Sequence, residues 1–216
     1  MGGYSSEYDI SLKSGQTVFE SLNRELYQPY RVIIRREGLV LLDDQRNEFP
    51  VNRHDFSATV DGTHLLFDCV FNAIHGSPGE DGLLQAYLDL LDIPYTSCGF
   101  YQAALTFNKR DLLSVLKPRG IYCAQSYQLD KGAEIHTDEI LERVGLPCFV
   151  KANRAGSSFG VTMVKRAENL QAAIDVAFKE DDEILIETAL KGTEVSVGVL
   201  RYRDEIRVLP ITEIIP

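Results

Sequence analysis

The sequence predicts an α/β protein with an α+β centre, and three observations carry that prediction. First, the near-continuous apolar run Phe67-Asp-Cys-Val-Phe-Asn-Ala-Ile74 enters a glycine-rich turn, His75-Gly-Ser-Pro-Gly-Glu-Asp-Gly82. Second, a helical pattern follows at once, with Leu83, Leu84, Tyr87, Leu88 and Leu91 on one face, and Ile93-Pro-Tyr95 leads on to another short strand. Strand, loop, helix and strand in that order form a parallel α/β unit. Third, from Gly99 onward short alternating strands and amphipathic helices mix without that strict alternation, as in an α+β arrangement.

Each element has its own signal. Residues 1–12 are small and polar. Ser14 reads as the N-cap of a helix over 15–27, because Val18, Phe19, Leu22 and Leu26 recur at helical spacing. Residues 30–35 and 38–42 alternate as two strands able to pair as a hairpin, and 43–61 is charged and loop-like. The run 67–74 has the composition of a strand buried on both faces. Helices are predicted over Lys109–Leu116, Thr137–Val144 and 168–178, the last with Leu170, Ile174 and Phe178 in register. Strands are predicted over 121–129, 149–151, 161–164 and 183–187, then 194–201 and 206–209 joined by the charged turn Tyr202-Arg-Asp-Glu205. The resulting division is an N-terminal α/β domain (1–97), a central unit (98–190) and the start of a further unit (191–216).

Composition bounds the function. Hydrophobic residues make up 44% and charged residues 25%, ordinary for a water-soluble globular chain that needs no staples. Lys+Arg number 22 against Asp+Glu 32, a net charge of −10, which disfavours nucleic acid and anionic membrane as general partners. A local basic pocket for a nucleotide stays compatible with that balance. Cys69, Cys98, Cys123 and Cys148 form no CxxC pair and have no metal-ligand spacing; they read as reduced core or near-core residues, as in the cytosol. No leader pattern and no apolar run of about 18 residues is present.

Four loops at strand ends carry the chemistry. Lys151-Ala-Asn-Arg-Ala-Gly-Ser-Ser-Phe-Gly160 joins two strands, and its glycines let backbone N–H groups turn inward as an anion cradle. Phosphate suits it, with Lys151 as a point charge; a surface hairpin with polar turn residues suits it too. Gly2-Gly-Tyr-Ser-Ser-Glu7 ends in a carboxylate near a helix start, able to hold an ammonium or simply to face water. His75 ends a strand between apolar residues and glycines, which turns its ring toward a cleft. Glu80 and Asp81 are explained by the following helix dipole. Lys109 opens a helix. Glu187 and Glu194 bracket a link between two strands, where carboxylates can accept from an adenine amine or ribose hydroxyls.

Together and in this order these motifs resemble the D-alanine–D-alanine ligases of the ATP-grasp superfamily. The collinear match runs through Gly2-Gly3-x-Ser-x-Glu7, His75-Gly-x-x-Gly-Glu-Asp-Gly82 with Gln85, Lys109, and Lys151-x-x-Arg-x-Gly-Ser-Ser-x-Gly-Val161. It continues through Ile186-Glu187 and Gly192-x-Glu194-Val195, so it covers essentially the whole chain. The resemblance implies a doubly wound, Rossmann-like N-terminal domain, a central ATP-grasp subdomain and the beginning of a C-terminal one. It implies that Glu7 orients the ammonium of the first D-alanine, that His75 lines that substrate's pocket and that Ser157 belongs to the catalytic hydrogen-bond set. Lys109 and Lys151 would meet ATP phosphates under the loop 156–160, with Gly156 and Ser158 among its phosphate-binding residues. Glu187 would meet the adenine amine beside the backbone of Ala189 and Leu190, and Glu194 the ribose. The implied reaction is formation of an acyl phosphate from D-alanine and ATP, then attack by a second D-alanine, to supply a cell-wall precursor. A homodimer through the N-terminal domain is implied as well.

Three positions depart from the family pattern: Ala152 for a frequent Pro, Ala86 for a frequent Gly and Thr188 for a frequent Lys. Both ends read as cut, because Met1 falls directly on Gly2-Gly3 and residues 191–216 are too few for a core of their own. The family's oxyanion-stabilising arginine and its ligands for two Mg²⁺ (or Mn²⁺) ions have no counterpart up to Pro216, so the expectation is that these 216 residues alone are inactive. Competing expectations are another ATP-grasp ligase, such as one using D-lactate as second substrate, and a non-catalytic nucleotide-binding module.

Overall fold

The computed structural model describes residues 1–215, and Pro216, the last residue of the expected third unit, lies outside them. Helix α1 spans Tyr8–Ser21, seven residues earlier than the sequence indicates. The chain enters it directly from the glycine turn, with the Glu7 amide donating to Ser5 Oγ at 3.2 Å. Ser14, the expected cap, sits inside the helix because its hydroxyl faces His75 instead. The helix ends before Leu22, whose backbone is extended, so Leu26 and Tyr27 lie outside it and are exposed.

The expected hairpin forms as β1 (Arg31–Ile34) and β2 (Leu39–Leu42), paired antiparallel from Arg31 opposite Leu42 to Ile34 opposite Leu39. Residues 43–61 are not all loop. They contain β3 (Glu48–Pro50), which adds to β2, and β4 (Ala58–Val60), which pairs with β5 (Thr63–Leu65). Strands of three residues with charged neighbours leave too short an alternation to read. The run 67–74 also departs from expectation. It makes one parallel bridge, Val70 beside Tyr95, and Phe71 is 52% exposed, so only Ile74 of the run is buried in the core. A second parallel bridge joins Gly2 to Ile34. Ile34, Leu41, Val51, Phe56, Ala58, Ile74, Leu84 and Leu88 form the core under α2 (Leu83–Leu90).

A helix the sequence reading did not anticipate, α3 (Phe100–Phe107), leads into α4 (Lys109–Leu116), which matches its predicted bounds. The side chain of Asn108 caps α4 by accepting from the Asp111 amide. Beyond lies a four-stranded sheet in the order β6 (Ser126–Asp130), β9 (Glu183–Thr188), β7 (Cys148–Ala152), β8 (Thr162–Val164), with every pair antiparallel. Helix α5 (Thr137–Val144) lies against β6 and β9, and α6 (Leu170–Ala177) against β7 and β8. The period of two decides which face each strand residue takes. Cys148, Val150, Ile184 and Ile186 point toward the helices and are fully buried with Ile140 and Ile174. Each such side chain contributes about 1.5–3 kcal/mol on burial. Lys151 and Glu187 fall on the opposite face.

The stretch expected as one strand over 194–201 is broken into β10 (Val195–Ser196) and β11 (Val199–Tyr202). The break falls at Gly198, where the Leu209 amide donates to the Gly198 carbonyl at 2.8 Å and a Cβ would lie 2.9 Å from Leu209. β11 forms a hairpin with β12 (Glu205–Val208) through Arg203 and Asp204, both at positive φ as a two-residue turn with matching twist requires. β10 pairs with β13 (Thr212–Glu213). All four cysteines are free, as expected; Cys148 is buried and Cys123 half-buried, whereas Cys69, on the exposed run 67–74, and Cys98 are exposed, against the core or near-core expectation. Among the described residues no helix is long and apolar enough to cross a membrane.

Candidate functional site

The N-terminal half of the site is built on α1 and the loop after residue 74. Ser11, fully buried, donates to the Glu7 carbonyl at 3.1 Å and accepts the His75 amide at 2.9 Å. One turn on, Ser14 Oγ meets His75 Nε2 at 2.8 Å. Serines at 11 and 14 thus hold the backbone and the ring of His75 against one face of α1. Glu80 Oε2 accepts the Gly76 amide at 2.8 Å, so this acid folds the loop back on itself in addition to suiting the helix dipole. The His75 ring lines a cleft of about 560 Å³ with Ser14, Val18, Gln85 and Phe107. Glu7 is 2% exposed, yet its carboxylate takes part in no hydrogen bond or ion pair among the described residues. A Cβ built on Gly76 would lie 2.9 Å from Glu7 Oε2, and one on Gly156 3.1 Å from Oε1. The carboxylate is therefore sandwiched between two glycine backbones from opposite halves of the chain. Its oxygens are not among the fully enclosed unpartnered side-chain atoms, which are Arg31 Nε and Gln85 Oε1 among the described residues, so they keep access to the space between the two loops, where a ligand can supply a partner.

The central half lies on the sheet face away from α5 and α6. Phe149 stands opposite Glu187 and Lys151 opposite Leu185, which makes Lys151 and Glu187 diagonal neighbours on that face. They form an ion pair at 2.7 Å, with side chains 29% and 14% exposed. On the same face Ser126 stands opposite Glu187 and accepts a hydrogen bond from Lys117 Nζ at 2.9 Å. Lys109 Nζ donates to the carbonyls of Asn153 (3.2 Å) and Ala155 (2.7 Å) at the root of the glycine–serine loop. Burial first and the Lys151 charge second lower the Lys109 pKa, while Glu187, Asp181 and Glu7 oppose the shift. Those opposing charges come from both halves, so the cleft gathers two lysines and several carboxylates. Within the loop, Ser157 (φ 45°) and Ser158 (φ 61°) both hold left-handed backbone, which costs energy for a residue with a Cβ. Neither hydroxyl has a protein partner among the described residues.

The loop is anchored behind its apex. Arg154 grips Asp181 through Nε at 3.1 Å and Nη2 at 2.7 Å, and its amide adds a third bond at 2.7 Å. Burial pushes the Asp181 carboxyl up, but the Arg154 hydrogen bonds and charge outweigh it and hold the pKa below the usual range. A carboxyl whose pKa is lower folded than unfolded contributes stability above its unfolded pKa of about 3.9, and loses it as pH falls through the folded value. Arg154→Ala is expected to cost about 1 kcal/mol at pH 7, since the guanidinium is partly exposed, and nothing once the carboxyl is protonated in both states. Denaturant titrations at pH 7 and near pH 2 check this, and a cost that persists undiminished in acid would contradict it.

Of the residues singled out from sequence, Glu7 and Gly156 meet, with Gly76 rather than His75 on the other side of the carboxylate, and Lys151 meets Glu187; the His75 ring faces a cleft whose lining includes neither Glu7 nor Gly156. Lys109 lies at the loop root. Ala189 has its amide committed to the Pro147 carbonyl at 3.0 Å, leaving its own carbonyl for a ligand edge, and Leu190 is exposed. Glu194 is exposed on the segment leading into β10, and its backbone carbonyl accepts from the Ile214 amide at 2.9 Å. Sequence reading missed Ser11, Ser14, Lys117 and the Arg154–Asp181 anchor. The signal for the serines was their spacing of three along one helix. Lys117 and Ser126 become visible only once strand register is known. Among the described residues no group of three or more His, Cys, Asp or Glu side chains is placed to hold a metal ion.

Solved structures share this fold. D-alanyl-alanine synthetase A from Vibrio cholerae superposes with a TM-score of 0.85 at 30% identity, over 99% of this chain and 65% of that protein. The VanG D-Ala:D-Ser ligase from Enterococcus faecalis gives 0.80 at 31%, over 99% and 67%. The architecture is that of the ATP-grasp ligases. Family models described as D-ala D-ala ligase N-terminus and C-terminus match residues 1–98 and 116–216. The D-alanine--D-alanine ligase of Flavobacterium johnsoniae is 61% identical over all of this chain and 67% of its own length. That of Christiangramia forsetii is 58% identical over all of this chain and 66% of its own length. The chain belongs to the D-alanine–D-alanine ligase family, and it spans about two thirds of the length of these relatives.

Proposed function

We infer that the whole protein joins two D-alanines into D-alanyl-D-alanine at the expense of ATP, in the cytoplasm, as a step toward peptidoglycan precursors, and that it works as a homodimer. The observation that carries the reading is the buried carboxylate of Glu7, without a protein partner, facing Gly156 of the loop. An α-ammonium is the group that satisfies such an acceptor, and D-alanine supplies it. His75, held by Ser14, lines the neighbouring cleft, one residue before the Gly76 that packs on Glu7, and is assigned to the first substrate's surroundings by the family resemblance.

The roles of the remaining residues are proposed from the family resemblance, and the meeting of Lys151 with Glu187 and of Lys109 with the loop root supports them. Lys109 and Lys151 bring two cations to the loop root, where they neutralise phosphate oxygens. Glu187 releases Lys151 to phosphate and accepts from the adenine amine, beside the Ala189 carbonyl and Leu190, and Glu194 serves the ribose. Gly156 and Ser158 close on the phosphates, and Ser157 brings its free hydroxyl to the reacting carboxylate. A D-alanine carboxylate oxygen bonds to the γ-phosphorus as the bond to ADP breaks. The amine of the second D-alanine then attacks the acyl carbon, loses a proton and expels phosphate. Loop closure keeps water from intercepting the acyl phosphate. Mg²⁺ or Mn²⁺, two ions by analogy with the family, would offset phosphate charge; the described residues do not provide a site for them, so no step here relies on one.

The test is dipeptide detected by mass spectrometry, with ADP formed only when D-alanine is present, for the whole protein. Tight ATP binding without D-alanine-dependent ADP formation would identify a nucleotide-binding module instead. The similarity to a D-Ala:D-Ser ligase makes the second substrate a separate question. Offering D-alanine, D-serine and D-lactate in competition answers it, with D-alanine expected to dominate.

A further inference from the structure

We propose that Asn153 is a positioning residue: it locks the first turn of α4 to the loop root, so that Lys109 is already aimed at the phosphate site before nucleotide arrives. The proposal rests on the assignment of Lys109 to ATP phosphate made above. Asn153 is the residue after β7 and is fully buried. Its Nδ2 donates to Asn108 Oδ1 at 2.9 Å and Glu183 Oε2 at 3.2 Å, and its Oδ1 accepts the Arg110 amide at 2.9 Å. Both side-chain donors and the acceptor are therefore used. Its main-chain carbonyl accepts from the Lys109 amide at 3.3 Å and from Lys109 Nζ at 3.2 Å, so one residue holds Lys109 at both ends. Asn108 Oδ1 also takes the Asp111 amide at 3.1 Å, which makes the helix cap part of the same cluster.

An asparagine that only completed the sheet would use its backbone for that purpose, and Asn153 does so by donating its amide to the Glu183 carbonyl at 2.9 Å. The side chain instead turns to the first turn of α4. The residue of that turn assigned to the site is Lys109. Removing the carboxamide orphans the Arg110 amide and frees the start of the helix, and small misplacements of a charged group cost large factors in a preorganised site.

The experiment is a double-mutant cycle in the whole protein, reading the Kd of a fluorescent N-methylanthraniloyl-ATP together with the KM for ATP, the KM for D-alanine and a thermal melt. N153A is expected to weaken nucleotide binding and raise the ATP KM about tenfold, with the D-alanine KM changed less than about twofold. In a K109M background the same change is expected to add less than about twofold, because the group it positions is gone. If N153A does not fold, N153D goes through the same two backgrounds. It keeps the volume and the acceptor for the Arg110 amide but turns a donor into an acceptor facing Glu183, and the same pattern is expected. An equal loss in both backgrounds, or a folded N153A with unchanged affinity, overturns the positioning role while leaving the ligase reading intact. K109M binding the probe as tightly as the parent overturns the assignment of Lys109 itself.

Discussion

Glu7→Gln is expected to abolish useful turnover while leaving the fold at least as stable as before. Glu7 is 2% exposed and its carboxylate has no hydrogen-bond or ion-pair partner among the described residues, so the protein holds its charge only through longer-range attraction to Lys109. A neutral amide of the same shape removes a buried, unpaired anion, and the melting temperature is expected to hold or rise by the equivalent of about 1 kcal/mol. Against D-alanine the change removes the charged half of an ammonium–carboxylate pair. That costs about 3 kcal/mol, or roughly 100-fold in kcat/KM for D-alanine. ATP binding is expected to be unaffected, because the lysines and Glu187 lie on other elements. Steady-state kinetics in each substrate and a thermal melt read all three effects. Loss of stability together with retained D-alanine kinetics would mean that Glu7 is a structural acid.

Gly76→Ala carries the second large effect. Gly76 has φ +71°, and a Cβ there would lie 2.4 Å from Ser5 Oγ, 2.8 Å from Ser5 Cβ and 2.9 Å from Glu7 Oε2. The left-handed backbone costs about 1–2 kcal/mol and the collision about 1–3 kcal/mol more. The expected sum of roughly 2–5 kcal/mol is a fall of about 5–15 °C in Tm for a protein of this size. Because the collision is with Ser5 and Glu7, the D-alanine KM is expected to rise in whatever protein still folds. Gly132 supplies the control: its φ is +87° but a Cβ there meets nothing within 4 Å. Gly132→Ala is expected to show only the backbone cost of about 1–2 kcal/mol and unchanged kinetics. Equal effects of the two substitutions would show that crowding around Glu7 does not matter.

The sequence was most readable where local signals and tertiary structure agree. Lys109–Leu116 has an Asn cap and an amphipathic face, and Thr137–Val144 a clear periodicity, and both helices have the predicted bounds. Phe67–Ile74 misled because apolar composition does not say which face a partner strand will cover. Ser14 misled because a serine near a helix start can cap the backbone or bind a distant side chain, and the distant His75 won. The site showed the same split. Strand alternation put Glu187 off the core face, but its pairing with Lys151 depends on the register between β7 and β9, which is set by residues far apart in the chain. Asn153 left no trace, since an asparagine after a strand is an ordinary turn residue and its partners lie 30 to 45 positions away.

The central claim is that a D-alanine carboxylate, brought in by its ammonium on Glu7, is activated by phosphoryl transfer. D-alanine labelled with ¹⁸O in its carboxylate tests this most directly, with whole protein, ATP and mass analysis of the released phosphate. Activation through an acyl phosphate predicts one labelled oxygen in phosphate for each dipeptide formed, and with E7Q the same ratio at a rate roughly 100-fold lower at limiting D-alanine. Dipeptide accompanied by unlabelled phosphate, or phosphate released at the same rate without D-alanine, would contradict the account.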